Sequence, residues 1–246
     1  MIAFLSPAKN MRPARREGLP LTMPAYREET QRLAELLKAF SPWQLESLMK
    51  ISPDLALRAH MDFQNFHWDN PGSPALLSYH GLAYQNLSAR DFTLEDFAFA
   101  QNHLRILSAF YGLLRPTDAL QPYRLELGCR WKVDGKSLYH FWGDKLCRDL
   151  FAPGEPVINL ASGEYSKAVI PHLRPGDRMI TCDFLVNRRG RLTCLATGAK
   201  MARGQMARFL IKNRLRDPEQ LQAFDWEDYA FVPALSTESK YVFVQQ

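Results

Sequence analysis

Pro156-Val157-Ile158-Asn159-Leu160-Ala161-Ser162-Gly163-Glu164-Tyr165-Ser166-Lys167 joins a short apolar run to a dense polar one. The apolar half reads as a short buried strand, and the polar half as what emerges at its end. Asn159, Ser162 and Glu164 are residue types suited to hydrogen bonding and proton transfer, and Ser162-Gly163 can present backbone N–H groups at a helix start. An ordinary N-capped helix accounts for the same residues equally well. Met1 to Leu5 repeats the pattern, an apolar run ended by Ser6-Pro7 that delivers Ser6 and Lys9 to its C-terminal edge. In open α/β sheets that edge is where ligands bind. Met179–Val186 and Leu192–Ala196 read as a strand pair closed by an Arg-Arg-Gly turn, with Gly190 at positive φ, and Tyr241–Val244 as a last strand.

Between these runs the chain reads mainly as helix. Residues 25 to 40 carry Tyr26, Leu33, Leu36, Leu37 and Phe40 at helical spacing. Ser41-Pro42-Trp43-Gln44 is a capping box that opens a helix through about Lys50, and Ser52-Pro53 starts another through Phe66. Two helices meeting at so tight a turn fit either an ordinary bundle or a backbone-binding hairpin. In the second case Lys50 and Ser52 stand at the turn. Residues 71 to 74 read as a loop and Ala75–Tyr79 as a strand. Thr93 caps a helix whose apolar positions run from Leu94 through Leu104, Leu107 and Tyr111 to Leu114. Ser137 to Phe151 reads as one helix, and Lys200 to Leu215 as a helix packed on more than one side. The fold class is therefore mixed α/β. We expect a single domain over residues 1–246, with the helices of 25–66 as an appendage.

Charge is distributed unevenly. The net charge is +5, and from Phe184 to Arg216 nine cations occur with no Asp or Glu. Such a run is either a surface whose acidic partners lie elsewhere in the fold or a phosphate-binding face. Lys200-Met201-Ala202-Arg203-Gly204 favours the second reading. Its two cations lie one helical turn apart, and Gly204 permits close backbone approach. Arg208, on the same helix, is a further candidate anion ligand. Arg115 precedes Pro116 and Arg124 follows Pro122 by two residues; proline stiffens the backbone, and both suit either an anion or the nearby Asp118 and Glu126.

Other classes are disfavoured by what is missing. No apolar run reaches the length of a membrane span, and the first residues lack a basic segment before their apolar run, so a cytoplasmic protein is expected. The four cysteines are widely spaced, and the six histidines form no H-E-x-x-H or local cluster. No metal site and no cofactor is expected. Ser6-x-x-Lys9 matches the nucleophile motif of penicillin-binding enzymes, but the accompanying S-D-N and K-T-G boxes are absent.

Taken in order, Ser6-Pro-Ala-Lys9, Leu104-Arg-x-Leu107, Tyr111-Gly-x-Leu-Arg-Pro116, Gln121-Pro-Tyr-Arg-Leu-Glu126, Phe141-Trp-Gly-Asp144, Asn159-Leu-Ala-Ser162, Glu164-Tyr165 and Ala202-Arg-Gly204 resemble the YaaA family of bacterial peroxide-stress proteins. The resemblance spans nearly the whole chain. It implies a fold of the type called cantaloupe, a positively charged cleft, and a helix-hairpin-helix, here within residues 40–66. It also implies binding to double-stranded DNA and a role in limiting damage from hydrogen peroxide and intracellular iron. On the family pattern Lys9, Arg115, Arg124, Asn159, Ser162, Lys200 and Arg203 line the cleft. Two functions follow as expectations. One is DNA-backbone binding; the other is an enzyme acting on a small anionic or nucleotide-like substrate, with Glu164 or Asp144 as general acid or base and Ser162 beside them.

Overall fold

The structure is a computed structural model that describes residues 1–70 and 72–245. Its largest sheet, among the described residues, has eight strands: β1 (Ile2–Leu5), β2 (Leu104–Ser108), β3 (Gly112–Leu114), β4 (Val157–Asn159), β5 (Met179–Arg188), β6 (Arg191–Thr193), β7 (Tyr229–Phe231) and β8 (Lys240–Gln245). They run in the order β7-β8-β5-β4-β1-β2-β3, with β6 paired to β5. The centre, β8-β5-β4-β1-β2, is parallel, and the outer pairs are antiparallel. All four residues of β1 are buried, as expected for a parallel strand covered on both faces. Ala3 lies level with Leu104 on one side and Ile158 on the other.

The chain first leaves β1 for β2 on one side and later returns to β4 on the other. The order therefore reverses at β1. Such a switch point opens a crevice at the C-terminal strand ends, because the connections on its two sides diverge. The C-terminal ends of β1 and β4, Ser6 and Asn159–Ser162, lie there.

The helices are α1 (Arg27–Lys38), α2 (Pro42–Met49), α3 (Pro53–Gln64), α4 (Ala75–Ser78), α5 (Leu82–Leu87), α6 (Leu94–His103), α7 (Leu138–Trp142), α8 (Lys145–Phe151), α9 (Gly163–Ser166) and α10 (Ala196–Lys212). The capping box read at Ser41 and Gln44 is present, and Thr93, read as a cap, forms a second box with Asp96. Arg189 and Gly190 turn the β5–β6 hairpin at φ +53° and +80°. The helices of 25–66 share the main core. Leu33, Leu37, Phe63 and Phe66 are buried with it, and the Phe63 and Phe66 rings lie 5.8 and 5.3 Å from that of Phe110.

Three expected elements are different. The helix expected from Leu94 to Leu114 ends at His103, and Leu104–Ser108 becomes β2. The 3,4 spacing persists by coincidence of composition. A run buried on every side carries no periodicity that separates helix from strand, and the β1 ladder decides the matter. Gly112 (φ +73°) then starts β3; a Cβ there would stand 2.6 Å from the Tyr26 ring and 2.8 Å from that of Trp142. Ala75–Ser78, expected as strand, is one helical turn, in which Ser78 Oγ donates to the Pro74 carbonyl at 2.8 Å. The helix expected over 137–151 breaks at Gly143 (φ +51°) into α7 and α8. Of the loop expected at 71–74, Pro71 lies outside the described residues, and Ser73–Pro74 pairs with Ala119–Leu120.

Candidate functional site

A cavity of about 340 Å³ opens at the switch point. Its floor is the end of β1. Ser6 Oγ accepts the Ser162 N–H at 2.8 Å, and the Ser6 carbonyl accepts the Tyr84 hydroxyl at 2.8 Å, so β1, the turn after β4 and α5 are tied at one residue. Asn159, only 2% exposed, lies beneath. Its Nδ2 donates to Ser166 Oγ at 3.1 Å and to Thr181 Oγ1 at 3.2 Å, while its Oδ1 accepts the Ala161 N–H at 3.0 Å. Asn159 therefore shapes the turn that presents Ser162 and does not line the cavity.

The walls bring together residues far apart in sequence. Lys9 follows β1, Arg124 and Glu126 come from the loop after β3, Ser162 and Glu164 from the start of α9, and Lys200 and Arg203 from α10. In the 123–127 loop burial alternates, with Tyr123, Leu125 and Leu127 buried and Arg124 and Glu126 partly exposed, and residues 123–126 line the cavity. The extended chain, with its period of two, does this. On α10, Lys200 and Arg203 share a face because they are one turn apart.

Glu126 divides its carboxylate between two cations, with Oε2 2.8 Å from Lys9 Nζ and Oε1 3.7 Å from an Arg124 Nη. Glu164 Oε1 accepts the Gly128 N–H at 2.9 Å, and Tyr139 donates its hydroxyl to the Glu164 carbonyl at 2.9 Å. Among the described residues two buried side-chain nitrogens have no hydrogen-bond partner, and both are in this cavity's arginines, Arg124 Nε and Arg203 Nε. An unsatisfied buried donor costs about 1–3 kcal/mol. Burial also lowers the pKa of Arg203, against the opposing pull of Cys194, Asp183 and Cys182. Both guanidinium groups are thus set up to gain from an anion. The cavity tyrosines remain protonated: burial pushes Tyr123 up to about 12, and Tyr84 and Tyr165 well above the ordinary phenol range.

The remaining expected residues lie elsewhere. Arg208 holds Asp91 through two bonds, of 2.7 and 2.8 Å, and reaches the Leu87 carbonyl at 3.2 Å. Lys212 and Arg214 both bind Asp96, at 2.6 and 2.7 Å. Within the cationic run Arg208, Lys212 and Arg214 are thus neutralised by acids of the 91–96 segment, while Lys200 and Arg203 line the cavity. Gly204 also serves the fold, since a Cβ there would meet the Ala83 carbonyl oxygen at 2.0 Å; the close approach is that of α5. Arg115 is exposed outside the cavity, and its backbone N–H is accepted by Asp118. Asp144 pairs with Arg174 at 3.2 Å and is not among the residues that line the cavity.

Lys50, in the left-handed conformation at φ +52°, turns α2 into α3. It lines a second hollow, of about 220 Å³, with Arg130, and this hollow shares Arg124, Glu126 and Glu164 with the first. Ser52 is the N-cap residue of α3. Sequence reading missed Glu126 as a site residue, although its alternation with Tyr123 and Leu125 was visible.

Residues 1–235 match the family described as peroxide stress protein YaaA. The chain belongs to this family. Relatives of the same length carry the description UPF0246 protein. One from Acaryochloris marina is 45% identical and covers 99% of each chain; one from Clostridioides difficile is 38% identical over the whole of both; one from Saccharophagus degradans is 41% identical, also over the whole of both. In this YaaA-family chain, no group of three or more His, Cys, Asp or Glu side chains among the described residues is placed to hold a metal ion. Burial pushes the thiols of Cys129 and Cys147 up to about 11 and that of Cys182 higher. That makes them poor thiolate nucleophiles toward peroxide. No helix among the described residues is long and apolar enough to cross a membrane.

Proposed function

We propose that this YaaA-family protein serves the peroxide stress response by binding double-stranded DNA through its backbone phosphates, limiting damage from hydrogen peroxide and iron. The observation that carries the reading is the continuity of Lys50 and Arg130 with Arg124 across the two adjoining hollows, which aligns the α2–α3 turn with the cavity mouth. A phosphodiester strand lying across the two hollows would meet Lys50, Arg130 and Arg124. Backbone recognition of this kind needs cations and N–H donors and reads no sequence.

The test is fluorescence anisotropy of a labelled duplex over a range of salt concentrations. Affinity is expected to fall with a log–log slope of about −0.9 for each phosphate neutralised, and Lys50→Glu and Arg130→Glu are each expected to lower the steepness by about 1. A salt-independent signal, or full affinity in the double variant, refutes the reading.

A second reading, an acid–base enzyme for a small anionic substrate, is supported by Glu164. Neutralising phosphate requires no carboxylate, yet Glu164 is held in the cavity by the Gly128 N–H. Asp144 has no part in it. In cells lacking the native protein, full peroxide protection by Glu164→Gln sinks the acid–base role.

A further inference from the structure

We propose that the cavity at the end of β1 is a binding site for a small phosphomonoester that also carries hydroxyl or amino donors, the chemistry of a nucleoside monophosphate. The proposal rests on the acid–base reading only for its location and adds the class of ligand. Four observations converge on it.

The first is size. A hollow of about 340 Å³ admits a small molecule, whereas a duplex cannot enter it. The second is the pair of orphaned Nε donors on Arg124 and Arg203. Each guanidinium is a planar fork that matches the geometry of phosphate oxygens, and a phosphomonoester has three terminal acceptors to divide between two forks and the Lys200 ammonium. Neither guanidinium is saturated by protein acceptors.

The third is charge. Lys9, Arg124, Lys200 and Arg203 face two carboxylates, Glu126 and Glu164, which leaves an excess of two positive charges. A phosphomonoester carries about −1.5 to −2 at neutral pH, whereas a backbone phosphodiester carries a single charge. The fourth is Glu164. One of its oxygens takes the Gly128 N–H, and the other makes no protein hydrogen bond among the described residues. A carboxylate repels phosphate, so its free oxygen suits the O–H or N–H donors of the ligand rather than its phosphate. The apolar part of the lining, which includes Leu5, Leu82, Tyr84, Leu125 and Leu160, suits a flat ring system.

Phosphomonoesters of this kind come from two sources, a free nucleotide and the phosphorylated end of a DNA strand. Isothermal titration calorimetry of the full chain with adenosine 5′-monophosphate, ribose 5-phosphate and adenosine tests the assignment. The monophosphate is expected to bind at least about tenfold more tightly than adenosine, and Lys200→Ala and Arg203→Lys each to weaken it by about tenfold. Glu164→Gln is expected to weaken the monophosphate and leave ribose 5-phosphate less affected. Circular dichroism of each variant establishes that it is folded, and exposed Lys200 keeps the test valid if Arg203→Lys unfolds.

Competition with DNA separates the sources. Displacement of the monophosphate by a 5′-phosphorylated duplex, but not by its unphosphorylated counterpart, supports the site with a strand end as ligand. Displacement by neither supports it with a free small molecule. Equal displacement by both overturns the monoester assignment in favour of a backbone site. Failure of both phosphorylated probes to bind at millimolar concentration, or equal binding of adenosine, also overturns it. The failure of Glu164→Gln to alter peroxide protection, by contrast, removes the catalytic reading and leaves these binding results standing.

Discussion

Replacing Gly204 with alanine is expected to destabilise the protein, against the ordinary rule for helices. In an exposed helix interior the exchange gains about 1 kcal/mol. Here the new Cβ would stand 2.0 Å from the Ala83 carbonyl oxygen, 2.8 Å from its carbon and 3.0 Å from its Cα. A carbon–oxygen contact of this type settles at about 3.3 Å or more, so the backbone of α5 must withdraw from α10 by about 1.3 Å. A flexible side chain could step aside, but backbone cannot do so without moving its helix. Overpacking of this kind costs about 1–3 kcal/mol, and a backbone clash belongs at the upper end, leaving a net loss of about 2 kcal/mol after the helix gain. The displaced helix carries Tyr84, whose hydroxyl holds the Ser6 carbonyl, so the cavity loosens with the core. Urea unfolding measures the loss as a lower midpoint at unchanged slope. Gly163→Ala is the control, since a Cβ there meets nothing within 4 Å, and its stability should stay within about 1 kcal/mol of the parent. If Gly204→Ala is as stable as the parent, the close packing of α5 on α10 is not what Gly204 serves.

Two other predictions concern the neutralised part of the cationic run. Burial alone would raise the Asp96 carboxyl, but hydrogen bonds from Lys212, the Thr93 backbone and Arg214 outweigh it and hold the pKa at about 2 against an ordinary 3.8. A depressed carboxylate stabilises the fold above its unfolded pKa and loses that contribution as pH falls through the folded one. At about 1.4 kcal/mol for each pH unit, the gap is worth about 2 kcal/mol. Asp96→Asn is therefore expected to be less stable by about that amount at pH 7, with the difference shrinking as pH falls from about 4 towards 2; a constant difference over that window in denaturant titrations refutes the assignment. Arg208→Ala removes the closer of two cations at Asp91 and one of two over the Phe92 ring, and is expected to lower stability by about 1 kcal/mol in thermal melts while leaving monophosphate affinity unchanged. Weakened affinity with unchanged stability would restore Arg208 to the anion site.

Much of the local structure was legible in the sequence. The capping box at Ser41, the cap at Thr93 and the Arg189-Gly190 turn were legible because side chain and backbone satisfy each other within four residues. Elements buried on every side were harder. Leu104–Ser108 continues a helical apolar pattern and is nevertheless a central strand, because the unpaired backbone of β1 outweighs local preference. Ala75–Ser78 failed in the opposite direction, an apolar run that closes as one helical turn with Ser78 Oγ on the Pro74 carbonyl. Of the candidate site, Lys9, Arg124, Ser162, Glu164, Lys200 and Arg203 were singled out for charge or for standing beside Pro and Gly, and they do converge. Asn159, Arg115, Arg208 and Asp144 were chosen on the same grounds and lie elsewhere.

The sequence by itself determined the class of fold, the family, and the presence of a cationic run without acids. Apolar periodicity, caps and charge are properties of neighbouring residues and survive without coordinates. Only the tertiary structure decided which cations are spent. Asp91 and Asp96 lie more than a hundred residues from Arg208, Lys212 and Arg214, and folding brings them to within 3 Å. The same folding places Arg124 and Arg203 in the wall of a cavity, each with an enclosed Nε that no protein acceptor matches. Charge is local to a residue, but its neutralisation depends on distances of a few ångströms that a sequence does not carry.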